Sequence, residues 1–381
     1  MTTGPLHPQP APVLELPAEP ETCLAALQAE LSQPWTLMEV CGGQTHSILR
    51  WGIDQLLPSQ IALLHGPGCP VCVTPAATLD QALQLAERPE VILASYGDML
   101  RVPGSELQAS DAAHDLLQAR AAGADVRLLT SPLEALELAR RHPQRQVVVL
   151  AVGFETTAPA TALLVEQVAR LGLANVSLLH SHVRVVPAME AIAAAPGRQV
   201  QGFLAAGHVA TVMGYKELER LVQVHQLPVV ITGFAAQALL QGVLACVRLL
   251  EADTPRLLNA YDQVVRPAGN LAAQALLRRV FAPADGVWRG LGTIPSGVLQ
   301  LRPAFRHLDA RQRFGMSEPQ VDTTGEDCIA DQVLQGRRSP PACPSFGSAC
   351  TPQHPLGAPM VSSEGACAAY FQYRGGAATP A

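Results

Sequence analysis

The sequence predicts an α/β protein built on parallel sheet and completed by an irregular, cysteine-bearing C-terminal segment. Two patterns carry that expectation. Between Trp35 and about Asp253, short apolar runs alternate many times with amphipathic stretches. The apolar runs also lack in–out alternation, so both of their faces need cover, as in parallel strands packed between helices. Composition agrees: 48% hydrophobic and 15% charged residues over 381 positions describe a soluble globular chain. Single cores rarely grow past ~250–300 residues, so two or three domains are expected.

Taken in order, the expected strands are Leu37–Val40, Ile61–His65, Val91–Tyr96, Val126–Leu129, Val147–Val152, Val176–His180, Gly202–Ala206 and Val229–Thr232. Helical periodicity falls between them, at Thr78–Glu87, Leu107–Ala121, Pro132–Arg140, Ala160–Leu171 and Tyr215–His225. Such a set closes into a (β/α)₈ barrel or forms two open sheets facing each other, and the pattern alone leaves both open. Either arrangement collects function at the carboxyl ends of strands. Beyond Asp253 a helical signal runs over Asn270–Phe281, then a Gly/Pro-rich stretch over Trp288–Gly297. The remainder is dense in Pro, Gly, Ser and Cys and needs a staple to hold it.

Several classes are excluded. A net charge of -6 leaves no electrostatic footprint for nucleic acid. The Pro-rich start has neither a basic nor an apolar leader region, so it reads as a loose tail without an export signal. Ala235–Leu250 is too short to span a membrane and reads as a buried helix. Nine cysteines without such a signal point to metal or redox use in the cytoplasm, not to a disulfide framework.

The chemistry-bearing residues fall at expected strand ends. In Glu39-Val40-Cys41-Gly42-Gly43-Gln44-Thr45-His46, a thiol precedes a helix start, where the N-terminal partial positive charge favours thiolate, the nucleophile and metal ligand. His46 is near enough to turn an imidazole toward it. A buried cysteine in a Gly-rich turn explains a lone Cys-Gly-Gly equally well. Cys69-Pro70-Val71-Cys72 follows the next strand, with Thr74 expected to cap a helix that starts at Pro75. Such a pair forms a reversible disulfide or half a zinc site; with no second Cys-x-x-Cys, redox use is favoured. Cys328, Cys343, Cys350 and Cys367 are separated by 14, 6 and 16 residues. Four thiolates hold a [4Fe–4S] cluster or a structural zinc, and the spacing follows no standard ferredoxin run. Glu155, in Gly153-Phe154-Glu155-Thr156-Thr157-Ala158-Pro159, is expected at the same edge as Cys41, with Thr156 or Thr157 capping the next helix. His208 also closes a strand and is a lesser candidate. His180 and His182 read as core or surface residues, and Cys246 as core.

In order and combination these motifs, with Gly66-Pro67-Gly68 before Cys69 and Met360 to Tyr370 at the end, resemble the HypD family of [NiFe]-hydrogenase maturation factors. The resemblance covers nearly the whole chain beyond the first residues. It implies two parallel-sheet α/β domains facing a cleft plus a C-terminal irregular, partly helical iron–sulfur domain, and so favours open sheets. The expected division is a disordered or loosely packed tail at 1–30, domain I at 31–130 with a return segment about 228–280, domain II at 131–227, and a cluster domain at 281–381. The resemblance also implies that Cys328, Cys343, Cys350 and Cys367 hold a [4Fe–4S] cluster and that Cys69 and Cys72 form a redox dithiol. Cys41 would ligate a transient iron that receives cyanide and carbon monoxide; beside it, His46 as the better-placed imidazole and Glu155 stay candidate site residues by their position in the sequence. The implied partners are a HypC-type chaperone and a HypE-type cyanide donor, with the hydrogenase large subunit served indirectly. Two departures stand out: Gln44 occupies a position where many members have His, and Gly233-Phe234-Ala235-Ala236 lacks a carboxylate found in many of them. The alternatives are an iron–sulfur-dependent disulfide reductase acting on a protein partner, and a scaffold with a structural zinc.

Overall fold

The structure, a computed structural model, describes residues 15–105, 113–321 and 328–375. The first part of the expected tail, the start of the helix expected from Leu107, and residues 322–327 lie outside that range. The strands are β1 (Trp35–Glu39), β2 (Ile61–His65), β3 (Val91–Ser95), β4 (Val126–Leu128), β5 (Gln146–Gly153) and β6 (Val176–Val183). They continue with β7 (Gly202–Ala206), β8 (Val229–Thr232), β9 (Leu257–Asn259), β10 (Phe281–Trp288) and β11 (Gly292–Leu301). The first eight are the strands expected from the apolar runs. They form two open sheets, not a barrel.

The first sheet has the order β2-β1-β7-β8-β9 and is parallel throughout; the second runs β10-β11-β6-β5-β3-β4, with β11 antiparallel to both its neighbours. β5 shows why the runs lacked alternation. Val147, Val149 and Ala151 face one apolar cluster, while Val148, Leu150 and Val152 face another on the opposite side. The expected domain division does not follow the sheets. β3 and β4, placed in domain I, belong to the second sheet, and β7, placed in domain II, lies beside β1. A both-sided apolar run carries no information about its neighbour. The hairpin β10–β11, placed with the cluster domain, completes the second sheet.

The helices are α1 (Pro20–Glu30), α2 (Gly42–Trp51), α3 (Ile53–Leu56), α4 (Pro70–Val73), α5 (Ala76–Ala86), α6 (Leu116–Ala121), α7 (Glu134–Arg141) and α8 (Ala158–Leu171). After them come α9 (Val185–Ala194), α10 (Gly207–Met213), α11 (Lys216–His225), α12 (Ala236–Glu251), α13 (Leu271–Val280), α14 (Ala310–Phe314), α15 (Ala330–Leu334) and α16 (Ala366–Arg374). The described part of the expected tail is therefore not disordered: residues 20–30 form a helix. α1 buries Cys23 and Leu27 in a cluster with Leu240, Leu244 and Cys246 of α12, and Arg248 pairs with Glu30 at 2.7 Å. α12 is the buried helix expected there, and among the described residues no helix is long and apolar enough to cross a membrane.

The two sheets share one core. Met38 and Phe203 of the first pack in the same cluster as Phe154, Val183 and Trp288 of the second. Trp288 is fully buried, and its indole Nε1 donates to Gly297 O at 3.0 Å, which removes the penalty of burying that donor unpaired. The carboxyl ends of β1, β2 and β5 are thereby held close together.

Candidate metal and thiol centre

Cys41 lies two residues beyond β1 and is the N-cap residue of α2, with its carbonyl accepting from Gln44 N at 2.8 Å and Thr45 N at 3.0 Å. Glu39, fully buried two residues earlier, organises this corner. Its carboxylate accepts from Cys41 N at 2.8 Å and from the Thr45 hydroxyl, and it lies 2.8 Å from His65 Nδ1. The expectation of a standing thiolate fails here. Burial pushes the Cys41 thiol up to about 12, and the negative charge of Glu39 adds to the rise; the N–H groups of Gln44 and Gly43 pull the other way and lose. A helix N-terminus acts through partial charges, so desolvation and a neighbouring carboxylate outweigh it.

Cys69 and Cys72 form a disulfide, with Cα atoms 5.3 Å apart, and both are buried. The two residues are held in a single helical turn. Cys69 caps α4, its sulfur accepting from Cys72 N at 3.2 Å, with Pro70 at the first helical position. Thr74 therefore ends this turn, and α5 starts after Pro75, its N-cap residue, with no side-chain cap; the cap expected at Thr74 is not made, because its hydroxyl donates back to Pro70 O at 2.9 Å. This turn lies directly against Cys41. Gly42 N donates to Gly68 O at 2.9 Å and Gly66 N to Glu39 O at 2.8 Å. A Cβ on Gly68 would stand 2.4 to 2.6 Å from the N, Cα and C atoms of Cys41. Glycine is needed at 68 because one backbone approaches another. Thiols 41, 69 and 72, far apart in sequence, thus share one corner.

The other candidates separate. His46 Nε2 lies 3.0 Å from the Tyr373 hydroxyl of α16, with the rings edge to face. Gln44 is fully buried and turns away: its Nε2 donates to Ala205 O at 3.2 Å and Thr232 Oγ1 at 3.1 Å, bracing α2 against β7 and β8. His208 is exposed and stacks on Phe234 at 3.9 Å. That phenyl ring in turn lies 3.2 Å from where a Cβ of Gly43 would be. Glu155 does follow β5, but it opens onto a different space. Both its oxygens accept from Val185 N at 3.2 Å, and it lines a mainly apolar cavity of about 370 Å³ with Val186, Met189 and Ala206. Burial raises its carboxyl to about 7 against its hydrogen bonds and Arg184. His180 and His182 are core residues packed on Phe281, and burial, with His180 beside it, drives His182 down to about 3. Cys246 is fully buried in α12. Thr157 precedes α8, yet its hydroxyl donates back to Phe154 O at 3.3 Å and caps nothing.

Glu364 was passed over in the sequence because nothing local marks it. Its Cβ and carbonyl oxygen lie 2.5 and 2.6 Å from where a Cβ of Gly42 would be, which explains that glycine. Burial and the Asp98 carboxylate raise its own carboxyl. Tyr370 sets its ring edge to face with His65, 5.4 Å between centroids.

Cys328, Cys343, Cys350 and Cys367 converge beside this corner. Cys343, Cys350 and Cys367 pack around Phe346, Met360 and Phe371, and Cys328 Sγ lies 2.8 Å from where a Cβ of Gly357 would be. Burial raises the thiol of Cys367 well above its ordinary value, and the other three sulfurs add to that. Burial likewise raises Cys328 and Cys350, opposed by N–H groups of Ala330 in the first and of Leu356 and Gly357 in the second. Among the described residues, no three His, Cys, Asp or Glu side chains are grouped to hold a single metal ion.

The family profile described as "HypD: Hydrogenase formation hypA family" matches residues 20–374. The hydrogenase expression/formation protein HupD of Azotobacter chroococcum is 47% identical over 354 residues, 91% of this chain and 92% of its own. The hydrogenase maturation factor HypD of Rhodobacter capsulatus is 44% identical over 351 residues, 91% of each chain. That of Escherichia coli is 42% identical over 344 residues, 90% of each. Matched from α1 to α16 at this level of identity, the chain belongs to the HypD family of hydrogenase maturation factors.

Proposed function

We propose that this hydrogenase maturation factor is the scaffold on which, together with a HypC-type chaperone, an iron ion acquires its cyanide and carbon monoxide ligands. The observation that carries the reading is the stitching of the Cys41 loop to the Cys69–Cys72 turn through Gly68 and Gly42. A ligating thiol and a two-electron sulfur pair share one corner there. With its thiol near 12, Cys41 stays protonated at pH 7. A cation must offset that rise to draw out the thiolate. That cost weakens retention of iron, which suits a site that hands its cargo on. Soft thiolate ligation also suits iron carrying strong-field diatomic ligands.

The four C-terminal cysteines suit a [4Fe–4S] cluster. Burial raises the thiols of Cys328, Cys350 and Cys367, so these three ionise most readily around shared positive charge. Such a cluster, when bound, supplies electrons one at a time at low potential. The chain's own part is to keep Cys367 and Tyr370 on one helix against His65, and Cys69 and Cys72 beneath Cys41. A HypE-type protein donates the cyanide, and the hydrogenase large subunit receives the finished unit. Burial of Cys69 and Cys72 to 3% and 1% exposure favours this reading over a reductase of protein disulfides, because an incoming disulfide has little access to them.

The test is Cys41→Ala, purified without air with its chaperone partner. The variant is expected to keep its cluster absorption and fold while losing the infrared bands of Fe–CN and Fe–CO. Bands of wild-type intensity in this variant would remove Cys41 from the iron site.

A further inference from the structure

We infer that Tyr373 is a positioning residue for the Cys41 site, and that the helix carrying it transmits the state of the four-cysteine group to that site. The inference rests on the scaffold reading for its purpose but not for its geometry. In α16 the residues Cys367, Tyr370 and Tyr373 to Arg374 recur at three- and four-residue intervals and share one stripe. The N-terminal end of the stripe belongs to the thiol group. The rest lies on the machinery around Cys41: Tyr370 on His65, the Tyr373 hydroxyl 3.0 Å from His46 Nε2, and the Arg374 guanidinium paired with Asp54 of α3. Just before the helix, Glu364 closes over Gly42.

Two strings of contacts, one starting with a ring contact and one with a hydrogen bond, lead from this helix back to Cys41. One runs from Tyr370 through His65 to Glu39, whose carboxylate holds Cys41 N. The other runs from Tyr373 through His46 along α2 to its N-cap, Cys41. Tyr373 engages Nε2 of His46 and leaves Nδ1 as the remaining ring nitrogen, so it sets which way the imidazole presents itself. Cys367 anchors the start of the same short helix. A ligand drawn onto that sulfur fixes the rotation and height of α16, and with them the seat of Tyr373. Release of that anchor frees His46 and uncovers Gly42.

The experiment reads the alkylation rate of Cys41 by iodoacetamide, peptide by peptide in a mass spectrometer, on the full chain alone with its cluster and without iron, cyanide or partner. The ring nitrogens of His46 are followed in parallel by ¹⁵N NMR. Tyr373→Phe is expected to keep cluster absorption and melting temperature, to raise the Cys41 rate about five- to tenfold, as loss of one hydrogen bond allows, and to move the His46 ring signals. Cys367→Ser is expected to raise the rate at least as much, and the double variant no further than Cys367→Ser alone. Arg374→Ala, which loosens the same helix at its other end, is expected to raise the rate as well. A Tyr373→Phe protein within twofold of wild type, with unmoved His46 signals, overturns the inference. So does full additivity in the double variant. Since no iron chemistry enters the readout, these outcomes are independent of whether Cys41→Ala loses its infrared bands.

Discussion

Replacing Glu155 by Gln should reverse a pH trend in stability. The wild-type carboxyl is 1% exposed and raised from 4.5 to about 7 by burial, despite accepting from Val185 N and lying near Arg184. Below pH 4.5 the folded and unfolded chains both carry the proton. Between there and pH 7 the unfolded chain has released it and the folded chain has not, so stability falls as pH rises; above 7 both are ionised and the loss is complete. At ~1.4 kcal/mol for each tenfold, the whole loss is about 3 kcal/mol, most of it between pH 5 and pH 8. His182, held near 3 by burial, acts in the opposite sense, adding stability as pH rises to its unfolded value of 6.5, but it is common to both proteins and cancels. Urea unfolding at pH 5, 6, 7 and 8 gives the two curves. Glu155→Gln, which keeps an acceptor for Val185 N and cannot ionise, should gain on wild type by roughly 2–3 kcal/mol over that range. A constant gap, or one that narrows with pH, would refute the reasoning that desolvation dominates at Glu155.

Two further changes test the corner itself. Gly68→Ala drives a methyl into the Cys41 backbone and should cost ~1–3 kcal/mol, seen as a lower melting temperature together with faster alkylation of Cys41; an unchanged melting temperature would mean the loops are not in contact. Cys343→Ala should abolish the visible absorption of the purified protein and its iron content by metal analysis, while leaving residues 35–301 protected in hydrogen exchange. Zinc in place of iron in the wild type would overturn the cluster.

The eight strands were legible because parallel strands buried on both faces leave unbroken apolar runs. Their allocation was not, since Val91–Ser95 and Gly202–Ala206 look alike whichever sheet receives them. β9 is a three-residue edge, too short to register, and β10–β11 carries Pro283, Pro295, several glycines and a bulge between Ala284 and Gly286, all of which resemble a loop in sequence. At the site, the cysteine motifs were visible as motifs, and their roles came from family resemblance. The charge state of Cys41 was misjudged because a helix start is local and legible, whereas burial and the field of Glu39 belong to the folded state. Tyr373 reaches His46 across 327 positions, a separation that no pattern in a single sequence bridges.

The order in which the chain visits its two sheets has a practical consequence. It builds β1 and β2 in one, β3 to β6 in the other, returns for β7 to β9, and crosses again for β10 and β11. Three separate crossings therefore tie the two sheets, and no single cut yields two fragments that each own a finished sheet. Truncation mapping of a docking partner would report misfolding, not binding; point changes on the intact chain are the way to dissect it.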